Sequence, residues 1–219
     1  MENEVREKKQ PKRRMPASDR REKILEAARL AFSEAGYRDV SLKSIATRAG
    51  VSKALLYEHF DSKVELYEAI LDLHGSELLE AIETAVHTSE SAEERVRAGI
   101  EAFLAFAEDR RGSWRIIFGV VPDAAVVRAQ ESLRDRIVGA IAAIVEEEVL
   151  MVRPDQPEHQ QFAAMQAQQT LGAMRALSDW WDRNPGVPRE LVLDAAMDFV
   201  WLGGERLSRG ERWSESRQT

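Results

Sequence analysis

The segment Ser41–Phe60 restricts the fold of this chain more than any other part of its sequence. Apolar residues recur at helical spacing on both sides of Gly50, so the segment predicts two short helices with one buried face each. Glycine tolerates a positive φ and can therefore form the tight turn between them. Ser41 and Ser52 stand where a hydroxyl can cap the first free N–H groups of each helix. The pattern indicates a helix-turn-helix, whose second helix enters the major groove of DNA.

The inward and outward faces of these two helices carry different residue types. The inward faces consist of Leu42, Ile45, Ala46, Ala49, Leu56 and Phe60. The outward face of the second helix carries Ala54, Leu55 and Glu58, which we expect to read base edges together with Thr47 and Arg48. Arginine can bind guanine through two hydrogen bonds, apolar side chains can contact a thymine methyl group, and a carboxylate can accept from cytosine. Alternatively, these residues form only the outer faces of two surface helices.

A second group of residues is expected to contact phosphates. The N-terminus of a helix offers backbone N–H groups and the positive end of the helix dipole, and lysine, tyrosine and histidine side chains donate hydrogen bonds. Such contacts position a protein on DNA without reading its sequence. The predicted phosphate contacts are Ser41, Ser52, Lys53, Tyr57, His59 and Lys63.

Charge is distributed unevenly along the chain. The net charge is −7, but residues 1–63 contain 15 Lys and Arg against 10 Asp and Glu, whereas residues 64–219 contain 16 against 28. A basic end on an acidic body is expected if only that end meets phosphate. Residues 1–17 are predicted to be a flexible basic tail, which either is a plain solvated segment or adds phosphate or minor-groove contacts.

The run Ile45-Ala-x-x-Ala-Gly-Val-Ser-Lys-x-x-Leu-Tyr-x-x-Phe60, followed by Ser62-Lys63-x-x-Leu66, resembles the DNA-binding signature of the TetR/AcrR family. The resemblance covers residues 20–66. It implies three helices that form a DNA-binding domain, a fourth helix that leads out of it, and a larger helical domain with a ligand pocket and a dimer interface.

The resemblance also implies roles for individual residues. Ser41, Tyr57, His59 and Lys63 match positions that contact phosphates in the family, and Lys53 matches a position that contacts backbone or base. This chain departs from the family in the second helix, with alanine at position 54, where glycine is frequent, and leucine at position 55, where threonine or serine is frequent. The resemblance therefore implies no particular operator sequence.

The rest of the chain has the pattern of successive helices. We predict a first helix that Ser18 caps and Gly36 ends. Later breaks at Gly112, Pro122-Asp123, Pro154–Pro157 and Asn184–Pro188 leave helices at 62–87, 92–110, 113–120, 123–151, 158–183 and 188–208. The predicted fold is all-α, with a flexible tail at 1–17, a three-helix DNA-binding domain at 18–63, a ligand-binding and dimerisation domain at 64–209, and a flexible tail at 210–219.

The predicted helix 188–208 is apolar almost all round, and its narrow polar stripe holds Asp194, Asp198 and Glu205. A helix with so little polar surface needs partners on two sides. Gly203 and Gly204 would allow a close backbone approach. We therefore expect a homodimer through the last two long helices, as the resemblance implies; alternatively, both are core helices of a monomer.

A pocket for a small, largely apolar effector is implied by the resemblance, and candidate wall residues come from the sequence. Gln166 and Gln169 lie on an otherwise apolar stripe of the helix 158–183, where buried amides would need partners. Aromatic walls with a few polar anchors are typical of small-molecule sites. The predicted ligand-binding residues are Phe103, Phe106, Trp114, Ile117, Phe118, Phe162, Met165, Gln166 and Gln169. Alternatively, the aromatic residues are ordinary core and the glutamines face water or a partner subunit.

Other classes of function are poorly supported. The chain has no cysteine, and its four histidines show neither metal-binding spacing nor a partnered nucleophile, so we predict no enzyme, metal or cofactor. No segment approaches 18 apolar residues without a charge and no apolar signal-peptide segment follows the N-terminus, so we expect a cytoplasmic protein without membrane spans.

These patterns predict a DNA-binding transcriptional regulator. We expect a repressor that a small-molecule ligand releases from a palindromic operator, because a ligand that prefers one spacing of the two reading helices shifts the protein toward that state. A transcriptional activator and a ligand-independent DNA-binding regulator stay open. The alternative of another class is a helical protein-interaction module without DNA binding.

Overall fold

The computed structural model describes residues 16–152 and 158–208. Within these ranges every regular element is an α-helix. The nine helices are α1 Ala17–Asp39, α2 Leu42–Ala49, α3 Lys53–Tyr57, α4 Lys63–His87, α5 Ala92–Asp109, α6 Arg111–Phe118, α7 Ala124–Val152, α8 His159–Asp182 and α9 Arg189–Ser208. The all-α prediction is confirmed. Most of the predicted tails and the predicted break at Pro154–Pro157 lie outside the described residues.

Helices α1, α2 and α3 form the predicted three-helix unit. The Ser41 Oγ accepts a hydrogen bond from the Ser44 N–H at 3.0 Å at the start of α2, and the Ser52 Oγ accepts from the Leu55 N–H at 3.1 Å at the start of α3. Between them Gly50 has a φ of 68°, the left-handed conformation that glycine adopts at low cost. The predicted helix-turn-helix, with both serine caps, is confirmed.

One predicted detail of the first helix is wrong and one is confirmed. Ser18 is not its cap, because α1 begins directly after Pro16 and the Ser18 Oγ donates to the Asp19 carboxylate at 3.1 Å. Gly36 has a φ of 77° and non-helical backbone angles, so it ends the first run of helix as predicted, and a short helical segment follows it to Asp39. Tyr37 follows Gly36, and its ring stacks on Phe32 with ring centroids 5.8 Å apart.

The larger part of the molecule is a set of packed helices around an apolar core. Helix α4 leaves the three-helix unit and packs against α5 and α7, while α8 packs against α7 and α9 packs against α5 and α8. The buried apolar residues form one continuous cluster that runs from α1 to α9. The three-helix unit therefore shares its core with the rest of the protein through α4 and α6.

The predicted helix bounds agree with the structure to within two residues, but Gly112 has a different role from the one predicted. The break before α6 lies at Arg110, and Gly112 is inside α6. A Cβ at Gly112 would lie 2.5 Å from the Arg29 Nη1 of α1. Gly112 therefore lies where α6 packs on α1, beside the flexible end of the Arg29 side chain, and it does not end a helix.

Two further findings concern what the described helices can do. None of them is long and apolar enough to cross a bilayer. In the same described part of the chain, no three side chains of the types His, Cys, Asp and Glu are grouped as they would be around a metal ion.

Candidate DNA-binding surface and effector cavity

Helix α3 presents a short face to solvent. Leu56 and Phe60 are buried against the three-helix core, whereas Ala54 and Glu58 are exposed and Leu55 is half-buried. Tyr57 is also exposed, and the Lys53 Nζ lies 5.4 Å from the centre of its ring. The predicted division of this segment into a buried face and an exposed face is confirmed.

The two residues of α2 that were predicted to read bases, Thr47 and Arg48, both have polar partners within the protein. The Arg48 Nη2 lies 2.6 Å from a carboxylate oxygen of Glu34 on α1, and both side chains are largely exposed. The Thr47 hydroxyl donates to the Lys43 carbonyl at 3.0 Å. An exposed ion pair contributes little to stability, so Arg48 can leave Glu34 for a base at small cost.

The predicted phosphate contacts differ in how accessible their donors are. The hydroxyls of Ser41 and Ser52 already cap α2 and α3, which leaves their helix N-termini as the surface that can meet phosphate. The His59 Nε2 is buried and has no hydrogen-bond partner among the described residues, so it does not face solvent as a phosphate contact would.

Lys63 is the first residue of α4, and its side chain contacts the end of α1. Its Nζ sits 4.3 Å from the centre of the Tyr37 ring and donates to the Arg38 carbonyl at 3.3 Å. Burial lowers the pKa of Lys63, while the nearby carboxylates of Asp123 and Asp39 act in the opposite direction. Its position near Asp123 places a predicted phosphate contact next to the start of α7.

Tyr37 connects the DNA-binding unit to α7 directly. Its hydroxyl donates to the Asp123 carboxylate at 3.1 Å, and burial together with this bond raises the pKa of Tyr37 to about 12. Asp123 also accepts from the Ala125 N–H, the main cause of its lowered pKa. The sequence shows both residues, but nothing in its spacing predicts that they meet.

The C-terminal end of α6 is held by three side chains from three other helices. The Tyr67 hydroxyl of α4 and the Gln130 Nε2 of α7 both donate to the Ile116 carbonyl at 2.9 Å. Gln130 also donates to the Gly119 carbonyl at 3.0 Å, and the Arg175 Nη2 of α8 donates to the Phe118 carbonyl at 2.8 Å. These contacts satisfy carbonyls that a helix end leaves open. Sequence reasoning missed all three donors.

Helix α6 also contacts α8 through its side chains. The Trp114 Nε1 donates to the Asp179 carboxylate at 3.1 Å, and the Arg115 Nη2 donates to the Asp182 carboxylate at 3.2 Å. At its other side α6 packs against α1 at Gly112. The helix therefore joins the larger domain to the DNA-binding unit.

An apolar cavity lies between α4, α5, α7, α8 and α9. It has a volume of about 100 Å³ and is partly open to solvent, so it is smaller than most small-molecule sites. Its wall consists of Ile82, Val86, Arg95, Val96, Gly99, Ile100, Phe103, Ile141, Ile144, Val145, Thr170, Leu171, Met174 and Val200.

One of the nine predicted ligand residues, Phe103, lies in this wall. Four others are buried next to it and form core: Phe106, Trp114, Ile117 and Phe118. The Phe103 ring meets the Trp114 ring edge-on at 5.2 Å, and Trp114 lies 4.3 Å from Phe118, so an aromatic cluster connects the cavity with α6.

The four remaining predicted ligand residues lie on another face of α8. Met165 and Gln169 are exposed, Phe162 and Gln166 are half-buried, and none of the four is in the cavity wall. Residues Leu171 and Met174, on the second apolar stripe of α8, line the cavity instead. A helix with two apolar stripes does not reveal from its sequence which one faces the cavity.

Helices α8 and α9 carry large apolar side chains that nothing in the described part of the chain covers. Five of them are between 44% and 67% exposed: Met165, Trp180, Leu191, Phe199 and Leu202. Exposed apolar side chains concentrated on two neighbouring helices are typical of an interface with another protein chain.

Comparisons with known proteins agree with this geometry. Residues 24–70 match the sequence pattern of the family described as "Bacterial regulatory proteins, tetR family". The chain is 42% identical over 105 residues to the HTH-type transcriptional activator FasR of Mycolicibacterium smegmatis, a match that covers 48% of each protein. It is 36% identical over 121 residues to the nucleoid occlusion factor SlmA of Vibrio vulnificus, covering 55% of this chain and 60% of that protein. The chain thus spans about half of the length of the curated relatives that it matches.

Solved structures resemble the protein over most of its length. A TetR-like transcriptional regulator from Rhodococcus sp. RHA1 superposes with a TM-score of 0.71 and 28% identity, over 87% of this chain and 98% of that one. The transcriptional regulator FadR of Bacillus subtilis, solved in complex with stearoyl-CoA, has a TM-score of 0.69 over 87% of this chain and 99% of that one. The FadR identity is 16%, so that likeness concerns the fold alone.

Proposed function

We propose, on the premise that this chain belongs to the TetR family of transcriptional regulators, that it acts as a homodimeric repressor that a small molecule releases from a palindromic operator. The observation that carries the proposal is the reading face of α3. Ala54 and Glu58 point to solvent while Leu56 and Phe60 anchor the helix, at the end of a basic N-terminal third. A short helix displayed in this way fits the major groove.

The DNA-binding residues divide into two groups in this proposal. Base edges meet Thr47, Arg48, Ala54, Leu55 and Glu58, whose side chains stand on or beside the open face of α3. Phosphates meet the N-terminal ends of α2 and α3 and the donors beside them, which are Ser41, Ser52, Lys53, Tyr57, His59 and Lys63. We assign residues 18–63 to the DNA-binding domain and residues 64–209 to the effector and dimerisation domain.

The homodimer forms through α8 and α9. The support is the set of exposed apolar side chains on these helices, among them Met165 and Phe199. Two copies that pair through the same face form a closed, two-fold symmetric interface. Two-fold symmetry presents two α3 helices to the DNA. The bound site is then a palindrome with half-sites about 34–36 Å apart or at a related helical spacing.

The effector binds in the cavity and acts on the DNA-binding unit through α6. Phe103 in the cavity wall touches Trp114 of α6, while α6 rests on α1 at Gly112 and is bonded to α4 through Tyr67. A ligand that fits one position of Phe103 better than another favours one placement of α6. Because α6 contacts both α1 and α4, that preference changes the spacing of the two α3 helices and with it the affinity for the operator.

A second candidate is a transcriptional activator with the same DNA-binding surface. It is favoured by the 42% identity to FasR, which is named an activator. The two candidates share the surface of α3 and differ in the position of the operator relative to the promoter. Both act in the cytoplasm, where the DNA is.

The test is selection of bound duplexes from a random pool by the full-length protein, followed by footprinting. We expect recovery of a palindromic sequence, protection of two half-sites on one face of the duplex, and two chains per duplex by light scattering. Binding that is equal for all duplexes, or one chain per site, would contradict the proposal. In vitro transcription from a promoter that carries the recovered site then separates the repressor from the activator.

A further inference from the structure

We propose that Tyr37 is a positioning residue for DNA binding, whose ring holds the Lys63 ammonium in place for a phosphate without neutralising its charge. This inference rests on the proposed function in one respect, that Lys63 meets a phosphate. It adds to DNA binding a residue of α1 that lies outside the segment Ser41–Phe60. It also gives a role to the polar contact between α1 and the start of α7.

The partners of Lys63 hold its side chain but leave its charge available. Its Nζ lies 4.3 Å from the centre of the Tyr37 ring and donates to the Arg38 carbonyl at 3.3 Å. Asp123 and Asp39 attract it from farther away, and within the described part of the chain neither forms an ion pair with it. An aromatic ring attracts a cation without cancelling its charge. The ammonium can therefore still bind a phosphate.

The Tyr37 ring is itself fixed from three sides. It stacks on Phe32 with centroids 5.8 Å apart and meets the Tyr67 ring edge-on at 5.3 Å. Its hydroxyl donates to the Asp123 carboxylate at 3.1 Å. Because these contacts confine the ring, the place of the ammonium above it is set before DNA arrives.

A fixed ring matters because a lysine side chain loses much rotamer freedom when it is ordered against a phosphate. Lys63 is half-buried, and part of that ordering is complete in the protein without DNA. Lys53 differs, although its Nζ lies 5.4 Å from the centre of the Tyr57 ring. Tyr57 is 42% exposed and has no other ring or hydrogen-bond partner among the described residues, so that ring is not fixed.

Asp123 connects this arrangement with the larger helical domain. The same carboxylate that accepts from Tyr37 also accepts from the Ala125 N–H at 3.0 Å, in the first turn of α7. Helix α7 packs against α4 and α8. A shift at the start of α7 therefore reaches Lys63 through one side chain, Tyr37, on a route separate from α6.

A double-mutant cycle on the full-length protein tests the role of the ring. The probe is a random-sequence duplex, because phosphate contacts do not depend on sequence. Tyr37→Leu removes the ring and should weaken binding about three- to tenfold, as expected for loss of a half-buried cation–π contact. In the Lys63→Ala background the same substitution should have no further effect on binding, because the two residues act as one unit.

The salt dependence and a conservative variant separate positioning from a general loss of structure. Tyr37→Leu should keep the salt slope of the unchanged protein, since no charge is lost, whereas Lys63→Ala lowers it. Tyr37→Phe keeps the ring without the hydroxyl and should bind within about twofold of the unchanged protein. Circular dichroism checks that each variant folds.

Proton NMR of the unchanged protein measures the contact without any substitution, so the test does not depend on the folding of Tyr37→Leu. The ring current of Tyr37 should shift the ε-methylene protons of Lys63 upfield of those of Lys43, an exposed lysine of α2. The shift should persist when the duplex is added.

Three results would overturn the inference: an equal effect of Tyr37→Leu with and without Lys63, an equal loss in Tyr37→Phe and Tyr37→Leu, or Lys63 protons without an upfield shift. These failures are distinguishable from failure of the proposed function. A protein that selects a palindromic duplex but shows independent effects of Tyr37 and Lys63 contradicts only the role of Tyr37. A protein that shows the coupling on random duplexes but selects no palindrome contradicts only the proposed regulator, and absence of binding to any duplex contradicts both.

Discussion

The three-helix DNA-binding unit and the larger helical domain differ in how far apart in the sequence their interacting residues are. In α2 and α3 each cap joins residues three apart, as Ser41 with Ser44 and Ser52 with Leu55. In the effector domain the polar contacts that hold α6 come from α4, α7 and α8, with Tyr67 and Arg175 49 and 57 residues away from their acceptors. A reading surface that depends on local contacts can be recognised in a sequence, whereas a cavity built from distant helices cannot.

The two regions share one apolar core, in which α3 contributes Leu56 and the larger domain contributes residues of six helices. Each prediction below tests one of the two regions and is paired with a control variant that should have a smaller effect.

The largest effect is expected from the buried face of α3. Leu56→Ala removes a fully buried side chain and should lower the free energy of unfolding by about 2–5 kcal/mol, because it loses burial and leaves a cavity. Leu73→Ala, at an exposed leucine of α4, should cost less than about 1 kcal/mol. Urea unfolding followed by circular dichroism measures both. Equal costs would mean that α3 is not anchored as described.

The next effect concerns the end of α6. Gln130→Leu keeps a side chain of similar size but removes a donor that three carbonyls share, so we expect a loss of about 1–3 kcal/mol. Gln168→Leu changes an exposed glutamine of α8 and serves as the control. Thermal unfolding in the same buffer compares them. If Gln130→Leu is as stable as its control, α6 is not held by α7.

A smaller loss is expected at the start of α3. Ser52→Ala removes the cap and should cost about 1 kcal/mol, whereas Ser52→Gly should cost only a few tenths of that, because glycine is tolerated at a cap. Ser18→Ala should cost almost nothing, since Ser18 does not cap α1. Chemical denaturation resolves the series. A loss at Ser18 as large as at Ser52 would restore the cap predicted from the sequence.

The contrast also predicts how DNA binding depends on salt. Lys63→Ala should lower the slope of log affinity against log salt concentration by about one unit, because one phosphate contact is lost. Tyr57→Phe should weaken binding to all duplexes alike and change the slope little. Fluorescence anisotropy over a salt series gives both values. An unchanged slope in Lys63→Ala would remove Lys63 from the phosphate contacts.

The smallest effect tests the Arg48–Glu34 pair. Glu34→Gln frees Arg48 for DNA and should raise operator affinity by roughly two- to fivefold, with stability unchanged within error, because exposed ion pairs contribute little. Glu26→Gln breaks another ion pair of α1 and removes the same charge, but it involves Arg29, which lies against α6. Equal gains in both variants would show that only the net charge matters.

The sequence predicted the helices and the exposed face of α3 because both follow from local periodicity. Ser41, Gly50 and Ser52 each act on their immediate neighbours, so their positions were sufficient. The capping role given to Ser18 failed because Pro16, two residues earlier, already starts the helix at Ala17. Gly112 was interpreted as a break because the sequence does not show that Arg29 packs against it.

The effector cavity was predicted less well, for a physical reason. Helix α8 carries two apolar stripes, one in contact with the cavity at Leu171 and Met174 and one exposed at Met165. Composition and spacing are alike on the two stripes, and the tertiary arrangement decides which one faces inward.

The central claim is that the exposed face of α3 chooses the bases. The most direct test is selection of duplexes from one random pool by the unchanged protein and by Leu55→Ala in parallel, with Lys63→Ala as the variant that should weaken every site without changing preference. We predict that Leu55→Ala alters the preferred bases at symmetric positions of both half-sites, because it removes an apolar contact within the groove. Identical base preference in the Leu55→Ala and unchanged proteins would contradict the assignment of the reading face.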